Sequence, residues 1–133
     1  MTRVALGLGC DRGASVETLQ GAIEQALARA RLGLDAVVEI ATIDKKSDEP
    51  GIVLLAERHR WRLRFFSAEE LARVEVPNPS ETVRKYMGTP AVAEAAALLA
   101  ANADVRHLLV EKHKYRGLDG KNVTVSIAEV KHG

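Results

Sequence analysis

A chain of 133 residues leaves room for one core, and 47% apolar with 28% charged residues excludes a disordered or low-complexity segment. With 19 Lys and Arg against 18 Asp and Glu the formal net charge is +1, so no global field draws the molecule to nucleic acid or to an anionic membrane, and any charged ligand has to be met locally. The one cysteine, Cys10, excludes an internal disulfide and a cysteine-based zinc cluster; with no membrane-length apolar run and no signal-peptide pattern, the expectation is a cytoplasmic single domain over residues 1–133.

Residues 3–9 (RVALGLG) form an apolar run that stops at glycines, the pattern of a buried strand entering a tight turn, CDRG. Ser15 is a candidate N-cap for a helix in which Val16, Leu19, Ile23, Leu27 and Ala30 recur at helical spacing until Gly33. Residues 36–43 (AVVEIATI) are rich in β-branched side chains and predict a second strand, followed by the polar loop DKKSDEPG. Pro50 suits a first helical turn, and Ile52, Leu55, Ala56 and His59 extend a helix over roughly 49–59. WRLRFF supplies a third strand, and Ser67 with Glu70 has capping-box spacing for a short helix. Two prolines stiffen residues 76–80 (VPNPS); Ser80 can cap a helix to about Tyr86, and Thr89-Pro90 can open another through AVAEAAALLAA. That last helix is apolar on nearly every side, so it should be buried, with small alanines permitting close approach to a sheet. Strands at about 107–111 and 122–130 complete the chain, the latter with Val123, Val125 and Ile127 on one face and Thr124, Ser126 and Ala128 on the other. Alternating strands and helices predict an α/β fold, a three-layer α/β/α sandwich with a mixed, mostly parallel central sheet. In such folds ligands gather beyond the carboxyl ends of strands, which here singles out the loops 10–14 and 42–49.

GLGCDRG lacks the full Gly-x-Gly-x-x-Gly spacing of a dinucleotide loop, yet amides at a helix start can receive an anion and Arg12 can add a forked donor; the alternative is a tight turn with Arg12 in solvent. Cys10 reads as a small buried residue rather than a nucleophile, since no histidine and acid can be assigned to it by spacing. In TIDKKSDE, Lys46 and Glu49 can orient a ligand or move a proton, or an acid there can simply charge the start of the next helix. Asn78 and Ser80 are either fixed donors or parts of a stiff connection, and Glu94, alone in charge between Pro90 and Asn102, is either exposed or a buried acid with a partner. Arg58, Arg60, Arg62 and Arg64 recur two apart, so any part in strand conformation shows them to one side, for nucleic acid, a ligand with several carboxylates or an acidic partner, or simply for solvent. His59, His107, His113 and His132 are too scattered for a metal site, so no metal is expected.

Taken together, GLGCDRG, ATIDKKSDEPG, VPNPSETV, GTPAVAEAAALLAA and the terminal LLVEKHKY and NVTVSIAE resemble, in order and over nearly the whole chain, the CobE/CbiG C-terminal domain family of cobalamin (vitamin B12) biosynthesis. The resemblance implies cytoplasmic work on corrin-ring intermediates, macrocycles fringed with carboxylates, and a three-layer α/β/α architecture. The positions that match the family are Gly7, Gly9, Cys10, Arg12, Gly13, Thr42, Lys46, Glu49, Asn78, Pro79, Ser80, Gly88, Glu94 and Lys112. Of these, Gly9, Cys10, Arg12, Gly13, Thr42, Lys46, Asn78, Ser80 and Lys112 are expected to bind ligand, with Arg12, Lys46 and Lys112 answering its carboxylates. The larger CbiG-type proteins are associated with opening a lactone on cobalt-precorrin-5A and releasing acetaldehyde, whereas the step of the shorter CobE-type proteins, which this length resembles, is less defined. The leading expectation is therefore binding of a precorrin intermediate to aid its processing or transfer. Alternatives are a lactone hydrolase using Glu49 or Glu94 as acid or base with Lys46 or loop amides stabilising an oxyanion, and an interaction module for another cobalamin-pathway enzyme. No cofactor is expected, cobalt entering only inside a corrinoid; neither nucleic acid nor membrane is an expected partner, and apolar edge strands leave self-association open.

Overall fold

The structure is a computed structural model and describes residues 2–76 and 92–130. Its strands are β1 (Val4–Cys10), β2 (Val37–Ile43), β3 (Arg62–Phe66), β4 (Leu108–Arg116) and β5 (Asn122–Glu129), joined in one sheet of order β3-β2-β1-β5-β4. β1, β2 and β3 pair in parallel, whereas β5 is antiparallel to both β1 and β4. Four of the five strands therefore point one way, and their carboxyl ends share one end of the sheet with the β4–β5 turn. The helices are α1 (Val16–Arg29), α2 (Pro50–His59), α3 (Ala68–Ala72) and α4 (Val92–Ala101).

Alternation along the strands divides the core in two. Val4, Leu6, Leu8, Ile40, Val123, Val125 and Ile127 turn toward Leu19, Ile23, Leu27, Ile52 and Leu55 of α1 and α2. Ala5, Ala41, Ile43 and Ala128 face the other way, onto Leu71 of α3 and the alanines of α4. The expected three-layer sandwich is present.

Local signals set most boundaries. Ser15 caps α1 by accepting the Thr18 amide, and Ser67 and Glu70 close their capping box in both directions at 3.1 and 2.9 Å. α1 stops before Gly33: Arg31 takes a left-handed φ of 58°, and the Leu32 amide bonds back to the Leu27 carbonyl. β4 runs five residues beyond the expected strand, to Arg116, because hairpin pairing with β5 supports a polar edge segment whose side chains carry no apolar pattern. The arginine series is broken up: Arg58 lies in α2, Arg60 ends that helix at φ 57°, and only Arg62 and Arg64 stand on β3. Arg64 turns inward, 3.8 Å from Glu39 and over the Phe66 ring.

β1 and α4 meet almost without side chains between them. A Cβ on Gly7 would overlap the Ala93 carbonyl and come within 2.7 Å of the Ala97 nitrogen, while one on Gly9 would meet nothing within 4 Å among the described residues. α4 runs from the carboxyl end of the sheet back to the start of β4, with Ala93 and Ala97 against Gly7. Gly7→Ala should cost about 3 kcal/mol, since overpacking here pushes on backbone, whereas Gly9→Ala should be neutral or stabilising by up to about 1 kcal/mol. Denaturant midpoints of the two variants check this; equal midpoints would contradict the close seating of α4.

Candidate functional site

The parallel pairing of β1 with β2 brings the loops that follow them side by side. Asp11, Arg12 and Gly13 form the turn after β1, with Gly13 at φ 79°, a conformation that other L-residues rarely adopt. A 3₁₀ turn, Asp44–Lys46, follows β2 and leads to Glu49, the residue just ahead of α2. Arg12 spans the two loops: one guanidinium nitrogen lies 2.8 Å from Asp48 and 3.5 Å from Glu49, and the other donates to the Lys45 carbonyl at 2.9 Å. The buried Glu49 carboxylate accepts the Gly13 amide at 3.1 and 3.2 Å. The two loops singled out in the sequence thus form one lip.

That lip uses several of the expected ligand groups for its own construction. Arg12 and Asp48 hold each other, which raises the Arg12 pKa and lowers that of Asp48. Glu49, a candidate proton carrier, is engaged in fixing the Gly13 turn. Thr42, expected at the ligand surface, is fully buried and donates to the Leu8 carbonyl at 2.7 Å, so it ties β2 to β1 from within. Cys10 is half-buried, and burial pushes its thiol pKa up although the nearby Lys46 charge pulls it down; a protonated thiol is a poor nucleophile. Lys46 is different: it is part-exposed, its charge reaches Cys10, Asp11 and Asp48, and among the described residues it makes no ion pair.

A third wall was not read from the sequence as part of the site. The β4–β5 turn carries Asp119, which accepts the Ser15 amide at 2.9 Å and the Lys121 amide at 3.0 Å. Asn122 donates both its backbone and side-chain N–H to Asp11 at 2.9 Å and receives the Asp11 amide through its carbonyl. Asp-Gly at 119–120 signals a hairpin turn locally, but only the antiparallel pairing of β5 with β1 brings that turn beside α1.

Glu94 and Lys112 lie on the α4 side of the sheet. Glu94 is 0% exposed in the first turn of α4, with the Lys112 ammonium 3.2 Å from one carboxylate oxygen. Neither Glu94 oxygen has a hydrogen bond of good geometry among the described residues. Burial pushes its pKa up, Lys112 pulls it back, and Glu111 adds to the rise. Lys112 reaches it because β4 bulges at residues 111–112, pinned by the Ser126 hydroxyl donating to the Glu111 carbonyl at 2.6 Å. Asn78 and Ser80, with Pro79 and Gly88, lie outside the described residues. Among the described residues no His, Cys, Asp and Glu side chains cluster to hold a metal ion, and no helix is long and apolar enough to cross a membrane.

Comparison with known proteins gives this geometry its setting. The family model for the Cobalamin synthesis G C-terminus matches residues 4–128. The chain belongs to this family. It is 35% identical over 125 residues to a cobalt-precorrin-5A hydrolase of Priestia megaterium, covering 94% of this chain but 32% of that protein, so it spans about a third of the relative's length. Protein CobE of a Sinorhizobium species is 34% identical over 111 residues, covering 82% of this chain and 71% of that one. The crystal structure of CobE, a protein of the cobalamin biosynthetic pathway, superposes with a TM-score of 0.82 at 31% identity and covers 98% of this chain and 92% of the other. In this CobE/CbiG-like domain, the loops after β1 and β2 and the β4–β5 turn form one end of the sheet.

Electrostatics make the third wall testable. The two amides bonded to Asp119 hold its pKa at about 2, against an ordinary 3.8. A lowered carboxylate pKa gives stability that is present above the ordinary value and is lost as pH falls through the folded one. The Ser15 and Lys121 amide resonances should therefore titrate together near pH 2, and Asp119→Asn should remove that step. A shared midpoint near 3.8 would mean that the turn is not held to α1.

Proposed function

We propose that this domain binds a precorrin intermediate of cobalamin biosynthesis, in the cytoplasm, and aids its processing or transfer to another enzyme of the pathway. The observation that carries this reading is the Lys46 ammonium, free of ion pairs among the described residues, between two loops locked together at the carboxyl end of the sheet in a cobalamin-pathway family member. A corrin precursor presents a broad ring and a fringe of acetate and propionate carboxylates, which suits a lip with a positioned cation. Arg12 and Glu49 serve by holding that lip in shape, and Lys46 meets the ligand directly.

A second reading, hydrolytic opening of a precorrin lactone, draws on one observation: the buried Glu94 carboxyl beside Lys112 is built to hold a proton. Relatives named as cobalt-precorrin-5A hydrolases share this domain as part of a longer chain.

Titration of the purified chain with cobalt-precorrin-5A, followed by corrinoid absorbance and by product analysis, separates the two. Binding without turnover supports the first reading, and release of acetaldehyde the second. A charge-assisted contact contributes about 1.5–3 kcal/mol, so Lys46→Ala should weaken binding about tenfold or more, while Arg62→Ala on the far edge strand leaves it unchanged. Equal affinity of Lys46→Ala and the parent would remove Lys46 from the site.

A further inference from the structure

We propose that Lys112 is a second carboxylate receptor of the binding site, held in reserve by Glu94: an incoming ligand carboxylate takes the ammonium over, and Glu94 accepts a proton from solvent. The inference rests on the binding reading above and adds to it a site on the α4 side of the sheet, with a coupling to pH.

The pair is not built as a finished internal salt bridge. Glu94 has no exposed surface, one oxygen stands 3.2 Å from the ammonium without good hydrogen-bond geometry, and the other has no partner among the described residues. An ionised carboxylate buried so incompletely satisfied is costly, and neutralising it lowers that cost. Lys112 keeps 29% of its side chain exposed, whereas Glu94 has none. The bulge that presents it is fixed from both sides, by the Ser126 hydroxyl on the Glu111 carbonyl and by Arg29 donating to the Lys112 carbonyl at 2.9 Å. Such a bulge re-aims a side chain that regular pairing would place elsewhere.

Among the described residues, the charged groups on this side of the sheet can be named. On the side facing α4, the described part of β1 offers Gly7 and Gly9, and β5 offers Thr124 and Ser126. β4 brings Glu111 and Lys114 with Lys112, Lys114 standing opposite Thr124, β2 brings Glu39 with Arg64 as its partner, and α3 carries Glu69 and Glu70, the latter bonded within its own capping box. A ligand carboxylate at Lys112 adds negative charge beside Glu94 and draws off part of the ammonium's field. Both effects favour the protonated acid, so binding takes up a proton and weakens as pH rises through the interval between the free and bound titrations, by at most about tenfold per pH unit.

The test is calorimetric titration of the parent, Glu94→Gln and Lys112→Met with cobyrinic acid and with cobalt-precorrin-5A, in two buffers of different ionisation heat across pH 5–8, with thermal melts confirming that each variant is folded. The expected result is proton uptake by the parent, loss of that uptake in Glu94→Gln with affinity kept or improved, and at least tenfold weaker binding by Lys112→Met. Identical proton uptake in the parent and Glu94→Gln, or undiminished binding by Lys112→Met, overturns the exchange while leaving the binding function in place. No binding of either corrinoid by the parent overturns the proposed function and this inference with it.

Discussion

The close seating of α4 on β1 is the constraint from which the arrangement of the molecule follows. A helix that carries alanine at most positions has little area to bury per residue, and dispersion falls steeply with distance, so such a helix adds stability only where backbones approach closely. Gly7 permits that approach, with the Ala93 carbonyl occupying the space of its missing side chain. The same contact places Glu94, one residue further along, inside the protein, where a carboxylate would otherwise not settle. The packing requirement and the unusual acid are therefore two consequences of one interface.

The carboxyl end of the sheet follows a different logic, that of charges spent on architecture. Arg12, Asp48, Glu49, Asp11 and Asp119 are each engaged with a neighbouring loop or a turn amide. Three connections from distant parts of the chain are cross-linked there by hydrogen bonds and ion pairs. Such cross-links hold the loops in place, and of the two lysines proposed to meet a ligand Lys46 has no ion pair among the described residues, while Lys112 rests against an acid it does not fully satisfy.

Membership of the cobalamin family fits a domain that occurs within proteins of different size. The same fold matches CobE over most of both chains and matches the hydrolases over about a third of theirs. A binding surface carried on rigid strand ends is the kind of feature that such proteins can share while the rest of their chemistry differs.

Much of the fold was legible because its signals are local. The apolar run of β1, the caps at Ser15 and Ser67, the proline opening α2 and the alternation in β5 each express a preference that a few neighbouring residues set. The grouping of the 10–14 and 42–49 loops was also legible, since parallel strands joined by helices bring their carboxyl ends together. What the sequence left open was the use of each charge. Whether Arg12 meets a ligand or Asp48, whether Glu94 is exposed or buried, and whether four arginines form a stripe depend on which strands become neighbours and on a bulge in β4. Side-chain pairings between residues up to 111 positions apart are energies of the folded chain alone, so composition and periodicity determined the layers, and only tertiary structure decided which cations remained for a ligand.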